Sequence, residues 1–347
     1  MKILINTPDL TKHGGGVTNH YKGLFLYWNY NVKYNTVGSR KSIPGYIILV
    51  FDYVKFVFLC VFGNYDIILL NPSLGNTALK RDAVFLRISH FFKIKTFVFF
   101  HGWNKDLAVT IDNKPNIFLR KFRKADGFLV LASSFKKQLE NWGIKGPIYL
   151  TTTKVDNSLI DNFCINKKTF SKNILFLARI EENKGIIIAL EAMALINKKY
   201  PDIKLIVAGD GKALQIAKDL VHKKSILNVI FVGNLKGGAL IEVFSKSDIY
   251  ILPTTHGEGL PTSVLEAMAF GLPIISRPVG GLVDFFEEDK MGYLIESLEP
   301  EAYANSIIDL IKNPEKSQEM SKYNHGYAKK HFMASKVASK IEKILNT

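Results

Sequence analysis

Glu258 and Glu266 stand eight residues apart in ILPTTHGEGLPTSVLEAMAFGLPIIS (251–276), a run otherwise so apolar that an unpaired carboxylate there is costly. DIYIL reads as a strand, Pro253 to Gly259 as a loop, and Pro261 suits the first turn of a helix that runs to about Phe270 and is stopped by Gly271 and Pro273. Glu258 thus falls on the loop, and Glu266 on the helix between Leu265 and Ala267. Glu266 needs a partner: the hydroxyls of a ribose or a sugar ring fit, and so does a buried ion pair with Arg or Lys. The amides of Gly259, Leu260 and the first helical turn can receive a diphosphate. Two acceptors beside an anion-binding helix end suit a nucleotide sugar.

Three further constellations follow apolar runs. In FLARIEENKG (176–185), Arg179 ends a strand and Lys184 begins a helix, and the turn between them lets both cations reach one anion. Two solvated surface cations are the alternative. HGGGVTNHYKGL (13–24) has consecutive glycines, Gly15 and Gly16 among them, which allow close backbone approach to a ligand or simply a flexible loop. Its spacing is a poor dinucleotide fingerprint. In FVFFHGW (97–103), His101 sits where a buried strand ends. Gly209–Asp210–Gly211 and Gly280–Gly281 give weaker loop signals, and His13 and His256 carry little individually.

The elements that position these residues alternate. KILIN, DIILL, KTFVFF, GFLVL and PIYLT are strand-like and separated by amphipathic stretches. After a polar segment the pattern restarts with NILFLA, IKLIVAG, NVIFVG, DIYILP and PIIS. A βαβα order occurring twice predicts an α/β protein of two tandem Rossmann-like, doubly wound domains facing a central cleft. The expected domains are 1–167, strongly basic, and 168–330, joined through TKVDNSLIDNFCINKKTFSK, with 331–347 a basic C-terminal helix. Ligands of such sheets sit outside the carboxyl ends of the strands, where every constellation above lies.

Composition narrows the classes. Residues 1–170 carry 24 Lys and Arg against 10 Asp and Glu, whereas residues 171–347 carry 22 against 21. A positive field confined to the first half favours an anionic partner for it. Cys60 and Cys164 lie in unlike contexts, so neither a disulfide framework nor a zinc site is expected. MKILINTPDL has no signal-peptide pattern, which predicts a cytoplasmic location. The apolar stretch 47–62, interrupted by Asp52 and Lys55, reads as a buried or interfacial helix. No Asp-x-Asp pair, His/Cys cluster or Walker loop is present, so no cofactor and no protein-held metal is expected. A leaving diphosphate would then be neutralised by Arg179, Lys184 and backbone amides.

These motifs resemble the retaining glycosyltransferases of the GT-B fold, specifically glycosyltransferase family 4. EGLPTSVLE resembles the family's Glu-x7-Glu signature and is followed by EAMAFGLPIIS and VGG; ARIEENKG resembles its Arg-x4-Lys-Gly motif, with Ala178 where glycine is common. HGGGVTNH resembles its glycine-rich first loop and FFHG its strand-end histidine. The resemblance implies a catalytic set of His101, Glu258, Arg179 and Lys184. It implies that Arg179 and Lys184 neutralise the donor diphosphate, with Gly209, Gly259 and Leu260 also at the donor. Glu266 would bind the ribose and Glu258 the sugar hydroxyls, His101 would lie by the transferred sugar, and Gly15 and Gly16 on the acceptor side. The C-terminal helix would brace the first domain.

The implied reaction moves a sugar from a UDP- or GDP-sugar to an acceptor hydroxyl with retention, along a front-face path. The implied acceptor is a saccharide or lipid-linked saccharide in bacterial surface polysaccharide or lipopolysaccharide assembly, met peripherally at the anionic inner face of the cytoplasmic membrane; no nucleic acid is expected. Two rivals differ in class. An NADP-dependent oxidoreductase would use Arg40 and Lys41 for a 2′-phosphate, but leaves the 258–266 motif unexplained. A non-catalytic bilobal binding protein, including a nucleic-acid binder, would use the basic half.

Overall fold

The computed structural model describes all residues except 12–14, 39–43 and 258. The chain divides into two compact units. The first contains Met1–Lys154, Gly257–Leu260 and Ala334–Thr347; the second contains Val155–His256 and Pro261–Met333.

In the first unit the strands are β1 (Lys2–Thr7), β2 (Asn31–Thr36), β3 (Ile67–Leu70), β4 (Lys95–Phe100), β5 (Gly127–Val130) and β6 (Ile148–Leu150). They form one parallel sheet of order β2-β1-β3-β4-β5-β6. The helices are α1 (Gly16–Leu24), α2 (Gly45–Phe62), α3 (Asn76–Phe91), α4 (Lys105–Asp112), α5 (Pro115–Phe122) and α6 (Ser133–Asn141). In the second unit β7 (Asn173–Leu177), β8 (Lys204–Ala208), β9 (Val229–Gly233), β10 (Ile249–Leu252), β11 (Ile274–Ser276) and β12 (Gly292–Leu294) form a parallel sheet of order β12-β11-β10-β7-β8-β9. Its helices are α7 (Ile186–Asn197), α8 (Leu214–Lys223), α9 (Gly237–Ser245), α10 (Thr262–Ala269), α11 (Pro300–Lys312) and α12 (Pro314–His331); α13 (Ala334–Leu345) belongs to the first unit. The two doubly wound α/β sheets expected from the repeated alternation are present. The short β12 has no sequence signal of its own: GYL becomes a strand by pairing with β11.

A repeated sequence device sets strand register. YDIILL, ADGFLV and SDIYIL each place an aspartate immediately before a strand. Asp66 accepts the Lys2 N–H at 2.7 Å, Asp126 the Thr96 N–H at 2.7 Å, and Asp248 the Asn173 N–H at 2.9 Å. In each case the donor opens, or lies at the start of, the neighbouring parallel strand, where a backbone donor has no ladder partner. Gly127 follows Asp126 because a Cβ there would lie 2.6 Å from the Phe97 ring.

One face of the first sheet is covered by α2 through α6. Ile68, Leu70, Val98, Phe100, Phe128 and Val130 meet Phe56, Leu79, Leu86, Phe118, Phe122 and Leu139 in a continuous core. Strand residues alternate, so Phe99 points to the other face, where His20 of α1 packs against it edge-on. Beside α1 lies α13. Its buried Glu342 accepts the backbone N–H groups of Asn29 and Tyr30 at 2.6 and 2.9 Å and the Asn29 amide at 2.8 Å.

The C-terminal stretch is broken at Phe332–Met333 into α12 and α13. Asn324 on α12 donates to the carbonyls of Leu272 and Met291, both at 2.9 Å, fastening that helix to the second unit. Residues 155–167, assigned in the sequence reading to the first domain and its linker, cluster with the second unit. The Val155 N–H donates to the Phe332 carbonyl at 2.7 Å, and the Phe163 ring packs on Phe270 and His325. Buried aromatic contact outweighs the polar composition that suggested a free linker.

Removing the Glu342 carboxylate leaves three donors without their acceptor. Glu342→Ala is expected to cost about 2–3 kcal/mol of first-unit stability, and Glu342→Gln less, since its carbonyl oxygen still accepts. Urea unfolding followed by tryptophan fluorescence checks this, because Trp28, Trp103 and Trp142 all belong to that unit.

Candidate functional site

The carboxyl ends of β7, β8 and β10 carry most of the second unit's candidates. The loop after β7 holds Arg179 and a single 3-10 turn, Glu182–Lys184. It is tied by backbone bonds to the loop after β8: Ile180 N–H to the Asp210 carbonyl at 2.9 Å, and Ala213 N–H to the Ile180 carbonyl at 2.9 Å. It is also tied to the loop after β10, where Thr255 and His256 both donate to the Asn183 carbonyl. This packing explains the glycines. At Gly209, φ +136°, a Cβ would stand 1.9 Å from the Ala178 carbonyl oxygen, and at Gly185, φ +83°, it would stand 2.3 Å from that of Pro253. Gly209 therefore lets two loops touch, a structural duty in addition to any contact with a ligand.

The two cations differ. The Arg179 side chain is 65% exposed and forms a surface ion pair with Glu181 at 3.0 Å, a contact worth about 1 kcal/mol or less and easily exchanged for another anion. Lys184 is buried at the turn that starts α7. Glu266 is half-buried on α10. That helix is positioned from below by Tyr250, whose hydroxyl donates to the Leu177 carbonyl at 2.9 Å and lies 2.7 Å from the Ser263 hydroxyl. The N-cap residue of α10, Pro261, has no side chain able to cap it, and among the described residues no side-chain cap is made to its first amides. A cavity of about 510 Å³ opens beside Glu181, Asn183, Lys212 and Ile216. Cavities of about 270 and 350 Å³ around Lys168 lie instead at the amino end of the sheet, away from these loops.

In the first unit, His101 follows β4 and Gly259 lies against it: a Cβ on Gly259 would come within 2.7 Å of the His101 carbonyl oxygen. Leu260 is buried. Gly15, φ +93°, caps α1, and Gly16 opens it with free space where a Cβ would stand. Glu258, His13, Arg40 and Lys41 lie outside the described residues. Among the described residues no group of three or more His, Cys, Asp or Glu is gathered as metal ligands.

His101 is held by residues the sequence reading did not single out. Asn71 ends β3, and its amide donates to the Asn6 carbonyl at 2.9 Å, so its oxygen faces the other way. That oxygen accepts the Tyr21 hydroxyl at 2.6 Å and lies 3.0 Å from His101 Nε2. An oxygen only accepts, so Nε2 carries the proton and Nδ1 keeps its lone pair. Burial pushes His101 down to about 3, and burial also lowers His20 well below the ordinary histidine value, aided by His101 and Lys154. Both are neutral at pH 7.

Around them lie buried polar atoms with no partner among the described residues: both ring nitrogens of His20 and the hydroxyls of Thr7, Thr151, Thr152 and Thr153. Such atoms at the carboxyl ends of β1 and β6 suit a ligand rich in hydroxyls. The signal was present, since NPS follows DIILL and TTTK follows PIYL just as HG follows FVFF.

Comparison with known proteins bears on both units. Residues 161–326 match the family model described as glycosyl transferases group 1. Spore coat protein SA of Bacillus subtilis is 31% identical over 179 residues, 49% of this chain and 47% of that protein. The phosphatidyl-myo-inositol mannosyltransferase of Mycobacterium tuberculosis is 26% identical over 147 residues, 41% of this chain and 38% of that protein. The chain thus spans about half or less of the length of these curated relatives. Anabaena HepE, solved in complex with UDP, superposes over 100% of both chains with a TM-score of 0.77 at 17% identity, a likeness of fold, here GT-B.

The neutral histidines set a pH dependence. Unfolded, each takes up a proton near 6.5; folded, His101 does so only near 3. The unfolded state therefore binds more protons as pH falls, and stability, complete above about 6.5, declines toward pH 3 by about 1.4 kcal/mol per pH unit through His101, with His20 acting in the same direction. Urea titrations at neutral and mildly acidic pH are expected to show a shallower decline for His101→Asn than for the wild type.

Proposed function

We propose, from the match of residues 161–326 to the family model described as glycosyl transferases group 1, that the protein is a retaining, metal-independent glycosyltransferase of family 4. It moves a sugar from a nucleotide diphosphate sugar to an acceptor hydroxyl. The observation that carries this reading is the loop assembly at the carboxyl ends of β7, β8 and β10. It brings Arg179, the Lys184 turn and the Thr255–His256 segment that precedes α10 into one backbone-bonded layer.

In this reading Arg179 exchanges Glu181 for the donor diphosphate, and Lys184 and the α10 amides add to the positive field where charge develops on departure. Glu266 binds the ribose and Glu258 the sugar hydroxyls. The anomeric carbon loses its bond to the diphosphate oxygen and gains one to the acceptor oxygen on the same face, and the acceptor proton passes to the departing diphosphate. His101, neutral, accepts a sugar hydroxyl at Nδ1. The α1 N-terminus at Gly15 and Gly16 serves the acceptor. The acceptor is a lipid-linked saccharide of surface polysaccharide assembly, reached from the cytoplasm at the inner membrane face. The basic first half and a relative named for a phosphatidylinositol acceptor support that choice.

Thermal shift with UDP-, GDP-, ADP- and CMP-sugars tests the donor site. One nucleotide class is expected to raise the melting temperature with the logarithm of its concentration, and Glu266→Ala and Arg179→Ala are expected to abolish the shift. No shift with any of them moves weight to the NADP-dependent and non-catalytic readings, which a nicotinamide cofactor and an oligonucleotide then probe. Transfer to the acceptor is expected to persist in EDTA; loss that Mg²⁺ or Mn²⁺ restores would contradict metal independence.

A further inference from the structure

The least explained surface of the first unit is α2. Its buried stripe is narrow, Ile48, Asp52, Phe56 and Cys60 at four-residue spacing. Tyr53 and Leu59 pack at the edge of the core and Lys55 is partly exposed, while the outward face of this 18-residue helix is apolar: Ile47, Val50, Phe51, Val54, Phe58 and Phe62, with Phe51 56%, Phe58 60% and Phe62 74% exposed. An apolar face of this length left in water marks a docking surface.

The helix is long and apolar enough to cross a membrane, yet its place in the fold argues against that. Phe56 and Cys60 belong to the continuous core under the sheet, and the Asp52 carboxylate accepts the Gly38 N–H at 2.7 Å. Crossing would pull a carboxylate into hydrocarbon and open the core. Lying flat keeps both in place.

Charge beside the helix identifies what covers it. α3 packs against α2, and α5 against α3, in the layer over the same sheet face. Lys80 and Arg87 lie on the exposed row of α3, which ends in Phe91, 78% exposed. Lys121 on α5 is held below the ordinary lysine value by partial burial and by the like charges of Lys80 and Arg87. Arg120, Arg123 and Lys124 extend the group. Like charges gathered in this way favour an anionic partner. The apolar face itself offers a directional partner little, since its polar side chains are Tyr46 and Lys55 at its margins, whereas protein interfaces carry about one hydrogen bond per 100–200 Å². A fluid acyl layer under anionic headgroups meets both features.

We propose that α2 lies flat in the interface of an anionic bilayer, with Lys80, Arg87 and Lys121 on the headgroups. This deepens the proposed function, resting on it for the lipid character of the acceptor, and names the element and mode of attachment.

Flotation of the full chain with phosphatidylcholine vesicles, with and without phosphatidylglycerol, tests it. Recovery with vesicles is expected only when phosphatidylglycerol is present, and is expected to fall as salt rises. Phe51→Ser with Phe58→Ser, and separately Lys80→Glu with Arg87→Glu, are expected to reduce recovery roughly tenfold or more, while the nucleotide-sugar thermal shift stays as in the wild type. Wild-type protein left in the soluble fraction with either vesicle overturns the proposal, as does a Phe51→Ser, Phe58→Ser protein that floats like the wild type. A concentration-dependent dimer abolished by the same two changes, without flotation, overturns it in favour of a second copy. If a substituted protein misfolds, the lipid and salt dependence of the wild type decides. Flotation as expected with no nucleotide-sugar shift leaves this inference standing and removes the transferase reading.

Discussion

Asp66, Asp126 and Asp248 each hold the first free N–H of a neighbouring parallel strand, and the placement of everything at the other end follows from that contact. A parallel sheet has one end rich in unpaired donors and another rich in unpaired acceptors. A carboxylate at the donor end fixes where adjacent strands begin, and hence where they finish. With register set, the loops after β7, β8 and β10 emerge level enough to bond to one another through their backbones. The cost is burial: Asp248 is pushed above its ordinary value by desolvation, with the Asn173 and Ser171 N–H groups and Lys168 opposing that push.

The units treat their polar residues differently at the strand ends. In the second, close backbone packing leaves no room for side chains at the contacts of Gly185, Gly209 and Gly211, Lys184 is buried beside them and Arg179 stands on the rim. In the first, polar side chains themselves fill the ends of the strands. Asn71 orders Tyr21 and His101, while His20 and the hydroxyls of Thr151 to Thr153 are buried without partners among the described residues. In the proposed reading the second unit's surface meets a compact anion with amides and cations. The first unit's meets hydroxyls with neutral groups, because burial keeps both histidines uncharged.

Much of this was legible in the residues. The alternation of short apolar runs and longer amphipathic stretches gave ten of the strands, since a strand buried on both faces must be apolar throughout. Arg179, Lys184 and Glu266 stand out in the sequence because charge beside an apolar strand or on an apolar helix needs a reason. Asn71, His20 and Tyr21 were passed over because they are common residues whose importance comes from what lies opposite them. The segment 155–167 reads as a linker by composition and packs as a domain edge because of one aromatic, Phe163. The single basic stretch at the C-terminus becomes two helices serving different units, through Asn324 and Glu342.

By itself the sequence determined the two parallel α/β sheets, the loops on which the candidate residues lie and the uneven charge of the two halves. These depend on periodicity, on local turn chemistry and on composition, all of which act over a few neighbouring residues or over none. Only the tertiary structure decided that Gly209 serves a backbone contact, that His101 is neutral with its proton on Nε2, and that α2 turns its apolar majority outward. Each depends on atoms brought close from distant parts of the chain. For α2 the reason is plain: apolar residues line most of its circumference and its one carboxylate, Asp52, lies on the buried stripe, so composition does not mark the buried side, which is set by what packs against it.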